Sequence, residues 1–211
     1  MKTLIAIPCM DFCHTDFLRA LLSLERSGEM QFTFAQSSLI YDARNTLCSL
    51  AIDEGFDRVL WLDSDMTFPA ETLFRLGEHL AAGKDMVSGL YFTRKPPIRP
   101  VIFEKLWTDQ EHGFISGHAG FFADYPDWEV FPIEACGFGC CMTSVDLLRR
   151  IRDQYGQPFS PVAGFGEDLS FCLRVRDSGT QIWCDSSVKC GHVGMAVYDE
   201  NAYRALRGAQ T

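Results

Sequence analysis

Four short apolar runs, separated by segments of helical spacing, constrain this chain more than any other feature. The runs are "TLIAIP", which ends at Pro8, "FTFA" at 32–35, "RVLWL" at 58–62 and "DMVSGLY" at 85–91. Between them, Phe17, Leu18, Leu21 and Leu22 fall on one face of a helix over 15–26. Ala43, Leu47, Leu50 and Ala51 repeat that spacing until Gly55, and Leu73, Leu76 and Leu80 line a third helix opened by Pro69 and stopped at Gly83. A strand that returns through a helix to the next strand builds a parallel sheet, because such crossovers bring the chain back to the same end.

From residue 93 the pattern loosens. "TRKPPIRP" is extended or turn-like, since residues before proline avoid the helical region. The glycine- and aromatic-rich stretch 112–132 reads as an elaborated loop or irregular hairpin. Strand character returns in "IEACGFGCCMTS", Ser144 suits the cap of a helix over "VDLLRRIRD", Glu167 to Asp177 reads as another helix, and "QIWCD" as a last strand. The expectation is α/β: a Rossmann-like mixed, mainly parallel sheet flanked by helices in a single domain. Residues 1–92 form its first half and 93–211 its second. At 211 residues and 47% hydrophobic, the chain can bury a core without disulfide or metal staples.

Composition narrows the partners. "MKTLIAIPCMDF" is too short an apolar stretch for a signal peptide or membrane span, and no other run approaches the length needed. Nine scattered cysteines, an odd number, fit a reducing compartment better than a disulfide framework, so a cytoplasmic location is expected. The net charge of −9, with basic residues interspersed among acids, disfavours nucleic acid as a partner. A divalent cation could still bring in a phosphate.

The chemistry concentrates in "RVLWLDSDMTFP", where a buried run ends in Asp63 and Asp65. Parallel sheets bind ligands beyond the carboxyl ends of their strands. Two carboxylates this close raise each other's pKa unless a cation neutralises them, and a metal ion is the natural reason to keep both. The alternative is that Asp63 caps the following turn while Asp65 is solvated. "GFGEDLSFCLRVRDSG" places Glu167 and Asp168 at a helix start, where acids also serve the helix dipole, and "KCGHVG" places His192 after the last strand.

Taken in order, "YDARNTL", "VLWLDSDMTF", "MVSGLYFTRKPP", "GFGCCM", "GEDLSFCLR" and "KCGHVG" resemble the GT-A glycosyltransferases, especially the small family-two-like enzymes. The resemblance covers most of the chain. It implies a nucleotide-sugar donor, a divalent metal (Mn or Mg), and transfer to an acceptor hydroxyl of a glycan, protein or small molecule. It further implies that Asp65 and His192 bind the metal, and that Asp63 assists through the ribose or a metal-bound water. Arg44 would contact the nucleotide or diphosphate, residues from Pro8 onward would border the base, and the pair Glu167 and Asp168 would meet the acceptor. With inversion at the anomeric carbon, Asp168 is the general base. Where many relatives end the second strand with an acid, this chain has Gln36, Ser37 and Ser38, with Asp42 further on.

Three other readings have residues of their own. A haloacid-dehalogenase-type phosphatase would use Asp63 as nucleophile, Asp65 as acid/base and Ser88 as a phosphate contact. A zinc-stabilised module would use Cys136, Cys140, Cys141, Cys184, Cys190 and His192, against the simpler reading of buried cysteines as small hydrophobes. A GT-A-like domain could also bind nucleotide without turnover. Gly137-Phe138-Gly139 fits either close backbone approach to a sugar or a strand bulge. Phe114, Phe121, Phe122, Tyr125, Trp128 and Phe131 fit an acceptor wall, a dimer contact or a core closed over a sheet edge.

Overall fold

The structure, a computed structural model, describes residues 1–111, 114–194, 197–200 and 203–204. In chain order its elements are β1 (Lys2–Cys9), α1 (Thr15–Ser23), β2 (Glu29–Gln36), α2 (Ile40–Asp53), β3 (Arg58–Leu62), β4 (Met66–Thr67), α3 (Thr72–Ala81) and β5 (Met86–Leu90). There follow β6 (Ile102–Glu111), β7 (Phe114–Phe121), β8 (Val130–Ile133), β9 (Ala135–Cys136), β10 (Cys140–Ser144), α4 (Val145–Tyr155), α5 (Glu167–Asp177), β11 (Ile182–Lys189), β12 (Gly191–Val193) and β13 (Val197–Tyr198).

Seven strands form the central sheet in the order β2-β1-β3-β10-β5-β11-β8. β2, β1, β3, β5 and β11 run one way, while β10, wedged between β3 and β5, and β8, on the edge, run the other. The sheet is therefore mixed and mainly parallel. Helix-strand alternation in the first half could not show β10, which enters from the second half and separates two strands that follow one another in sequence.

Packing explains the run of apolar residues in the central strands. β3 and β5 are buried at every position, as expected where helices cover both faces. Alternate residues feed opposite cores. Leu4, Ala6 and Trp61 join Leu47, Phe138, Phe159 and Phe171 on one face, whereas Ile5, Ile7, Leu60 and Leu62 join Phe17, Leu73 and Met142 on the other.

β6 and β7 pair antiparallel, from Phe103 opposite Phe121 to Glu111 opposite Phe114, with a register shift between Phe103 and Lys105. β9 pairs with β6, and β8 joins the main sheet beside β11. Four of the aromatics of this region, Phe121, Phe122, Tyr125 and Phe131, pack on the core, which favours the closing role over an acceptor wall. Trp128 is 62% exposed. The side chain of Phe114 lies outside the described residues.

Candidate functional site

Asp63 leaves β3 at the carboxyl edge of the sheet, its amide donating to the Gly139 carbonyl (3.0 Å) and its own carbonyl accepting from Met66 (3.1 Å). This tight turn starts β4, which pairs with β12 so that Met66 lies opposite His192. The Val193 amide donates to the Asp65 carbonyl (2.7 Å), locking the two segments together. A two-residue strand thus brings His192 to Asp65 across 127 positions, with Nε2 at 3.4 Å from Asp65 Oδ2.

The other ring nitrogen fixes the chemistry. His192 Nδ1 lies 2.9 Å from the Phe92 carbonyl, which can only accept, so Nδ1 carries a proton and Nε2 faces Asp65. Metal-bound histidines share this arrangement, with a carbonyl on one nitrogen and the other left for the cation. Burial pushes the Asp65 carboxyl up, but the hydrogen bond and charge of His192, together with Arg94, hold it below the usual carboxylate value. Arg94 forms an ion pair with Asp65 through the same Oδ2.

Beneath this pair lies Arg44, 2% exposed. Its Nη2 donates to Asp63 Oδ1 (2.8 Å), its Nε donates to Glu167 Oε1 (3.3 Å), and its guanidinium sits 5.2 Å over the Phe138 ring. Nη1 is buried without a hydrogen-bond partner. Arg44, expected at the donor diphosphate, is buried here and ties the end of β3 to the start of α5. Asp63 is likewise engaged with Arg44, through Oδ1. Burial raises the Asp63 pKa despite Arg44, and Asp65 and Glu167 add to the rise, although the side chain remains 29% exposed.

α5 follows Gly166 at its N-cap, with Glu167 and Asp168 in its first turn and Arg174 and Arg176 in its last, the polarity that complements a helix dipole. Burial, then the neighbouring Glu167 charge, pushes the Asp168 pKa to about 6, while the Leu169 amide and Arg44 pull the other way. The preceding loop is held by the hairpin. Gly117 donates to the Ala163 carbonyl (2.7 Å), and Phe165 packs so close that a Cβ on Gly117 would stand 2.4 Å from its ring.

The remaining expected residues fall as follows. Pro8 is buried near the end of β1, opposite Ala35, on the same edge as Asp63. Gln36 donates to Asp11 (3.3 Å), so a carboxylate does border the end of β2, supplied by the loop after β1. The glycines of Gly137-Phe138-Gly139 answer to Tyr91: a Cβ on Gly137 would lie 2.0 Å from its hydroxyl, and the Gly139 amide donates to that hydroxyl (3.2 Å). Tyr91 and Arg94 were not anticipated. Both lie in "MVSGLYFTRKPP", but neither was assigned a role there, and both reach the site through the turn after β5.

The rival site sets lose particular members. Ser88 is fully buried and its hydroxyl donates to the Gly89 carbonyl (2.6 Å), which removes it as a phosphate contact. Cys136, Cys140, Cys141, Cys184 and Cys190 are buried thiols, and burial raises Cys141 and Cys184 above the ordinary thiol value. Among the described residues no three histidine, cysteine or acidic side chains group to hold a metal. Among them too, no helix is long and apolar enough to cross a membrane. A cavity of about 540 Å³ beside Tyr125, Asp127 and Arg204 lies apart from Asp63 and Asp65, so size alone does not point to the acidic edge.

No protein-family model matches the chain, and no curated protein matches it. Among solved structures it is similar to A197 from STIV, with a TM-score of 0.66 and 17% identity over 92% of this chain and 86% of that one. It is also similar to GalNAc-T7 with UDP, GalNAc and Mn2+, with a TM-score of 0.60 and 8% identity over 92% of this chain. The match spans only 43% of the GalNAc-T7 chain. At such identities the likeness is one of fold, and the fold is GT-A, a mixed α/β single domain with a mostly parallel central sheet.

Proposed function

We propose that this chain is a metal-dependent glycosyltransferase that moves a sugar from a nucleotide-sugar donor to an acceptor hydroxyl. The observation that carries the reading is the pairing of Asp65 with His192, its Nδ1 held by a carbonyl, at the carboxyl edge of a GT-A sheet. Asp65 and His192 fit a divalent ion of the Mn or Mg kind that takes its remaining oxygens from the donor diphosphate and water, the usual way such ions bind phosphates. When bound, the ion would neutralise charge gathering on the departing diphosphate.

The protein's own groups divide the other tasks. Asp63, held by Arg44, borders the donor at the strand end and keeps its geometry through that buried pair. Pro8 and the residues after it, with Asp11 and Gln36, border the base. Asp168 takes the proton of the attacking hydroxyl. With a pKa of about 6 it is ionised at neutral pH yet basic enough to help. The acceptor is set by contacts that motifs do not encode.

Calorimetry with a panel of nucleoside diphosphates and nucleotide sugars, with and without Mn2+, tests the reading. Metal-dependent binding of one nucleotide, lost in Asp65→Ala and in His192→Ala, is the expected result. Binding that ignores both the metal and these substitutions would sink it.

A further inference from the structure

Arg94 and His192 converge on one atom, Asp65 Oδ2. A cation held by Asp65 Oδ2 and His192 Nε2 would compete with the Arg94 guanidinium for that oxygen. Arg94 has little freedom to withdraw by backbone movement. Thr93 donates from its amide to the Arg99 carbonyl (2.9 Å), accepts at Oγ1 from the Arg99 amide (3.0 Å), and bonds through the same hydroxyl to the Pro97 carbonyl (3.1 Å). Phe92 bridges Pro100 just outside. The loop is therefore pinned at its base, and the side chain, 48% exposed, is the part that can move.

Resting on the metal-dependent reading above, we propose that Arg94 is a built-in counter-cation for Asp65 that yields its place to the metal-bound donor and then pairs with the donor's diphosphate. Before the donor arrives, a monovalent guanidinium partly neutralises Asp65 in a half-buried acidic edge. A divalent ion arriving with its diphosphate supplies more charge than it displaces. The freed guanidinium stays anchored within side-chain reach of that ion, where a planar five-donor group suits phosphate oxygens. Lys95 and Arg99 on the same loop give this net-acidic protein a local cationic rim there.

The two halves of the proposal predict opposite effects of one substitution. Loss of free Mn2+ signal in electron paramagnetic resonance titrations measures Mn2+ affinity alone, and inorganic pyrophosphate at saturating Mn2+ serves as the diphosphate probe. Arg94→Gln should bind Mn2+ alone about fivefold more tightly than the native chain, and pyrophosphate about fivefold more weakly. Arg94→Lys should restore much of the native behaviour in both. Unchanged Mn2+ affinity in Arg94→Gln overturns the competition, and unchanged pyrophosphate affinity overturns the second role. Asp65→Ala separates the inference from its foundation: if it loses Mn2+ while Arg94→Gln gains nothing, the metal reading stands and the Arg94 role falls. If neither the native chain nor Arg94→Gln binds Mn2+, both fall.

Discussion

Asp168 shows how one side chain carries a cost for its chemistry. Its folded pKa of about 6 lies above the ordinary carboxylate value, so the folded state prefers the protonated form. The penalty is absent below about pH 4, grows between pH 4 and 6, and is complete above that. Asp168→Asn should accordingly be neutral in urea unfolding at pH 4 and more stable by up to about 2 kcal/mol at pH 7.5, while turnover collapses. Equal stability changes at the two pH values would show that the carboxyl is not held high. Arg44 acts in the opposite sense, as the buried cation that lets Asp63 and Glu167 stand together. The resemblance singled out Arg44 in "ARN", but its burial was not legible, because it depends on contacts as far as 123 residues away in sequence.

At the scale of elements, what was legible was what is local. "RVLWL" matches β3 residue for residue, Ser144 caps α4 by accepting from the Leu147 amide (3.1 Å), and α5 begins at Glu167 as read. What was illegible depends on partners far along the chain: β10 splitting β3 from β5, and the β4–β12 pair that delivers His192. Two- and three-residue strands have no periodicity to detect, and a crossing such as β10 leaves no mark in its neighbours. The glycine turn before β10 illustrates the point, since its requirement is set by Tyr91, Val101 and Met66 from elsewhere in the chain. Gly137→Ala should destabilise by about 1–3 kcal/mol, because the added methyl overlaps the tyrosine hydroxyl. In the Tyr91→Phe background the same substitution should cost less, though not nothing, because the methyl still stands 2.8 Å from Val101. A double-mutant cycle by urea denaturation measures this coupling, and additive losses would place the cause of the glycine elsewhere.

On the scale of the molecule, the two sequence halves are not separable bodies. β1, β2, β3 and β5 come from the first half, and β8, β10 and β11 from the second, yet all seven share one sheet and the strands alternate in origin around β10. Such a molecule should unfold in one step, with backbone dichroism and tryptophan fluorescence tracing the same curve, since Trp61 lies in the core and Trp183 on β11. The acidic edge is built from both halves as well: Asp63 and Asp65 follow β3, and His192 and Asp168 arrive from beyond residue 93. A ligand bound there must stabilise the whole. With Mn2+ and the nucleoside diphosphate that binds at about 100 times its dissociation constant, unfolding should cost about 2.7 kcal/mol more. For a domain of this size that raises the melting temperature by about 5–10 °C. Both optical probes should move together, and Asp65→Ala should abolish the shift without lowering the unliganded melting point by more than a few degrees. A shift seen by one probe alone would mean that the site belongs to a part of the chain that unfolds on its own.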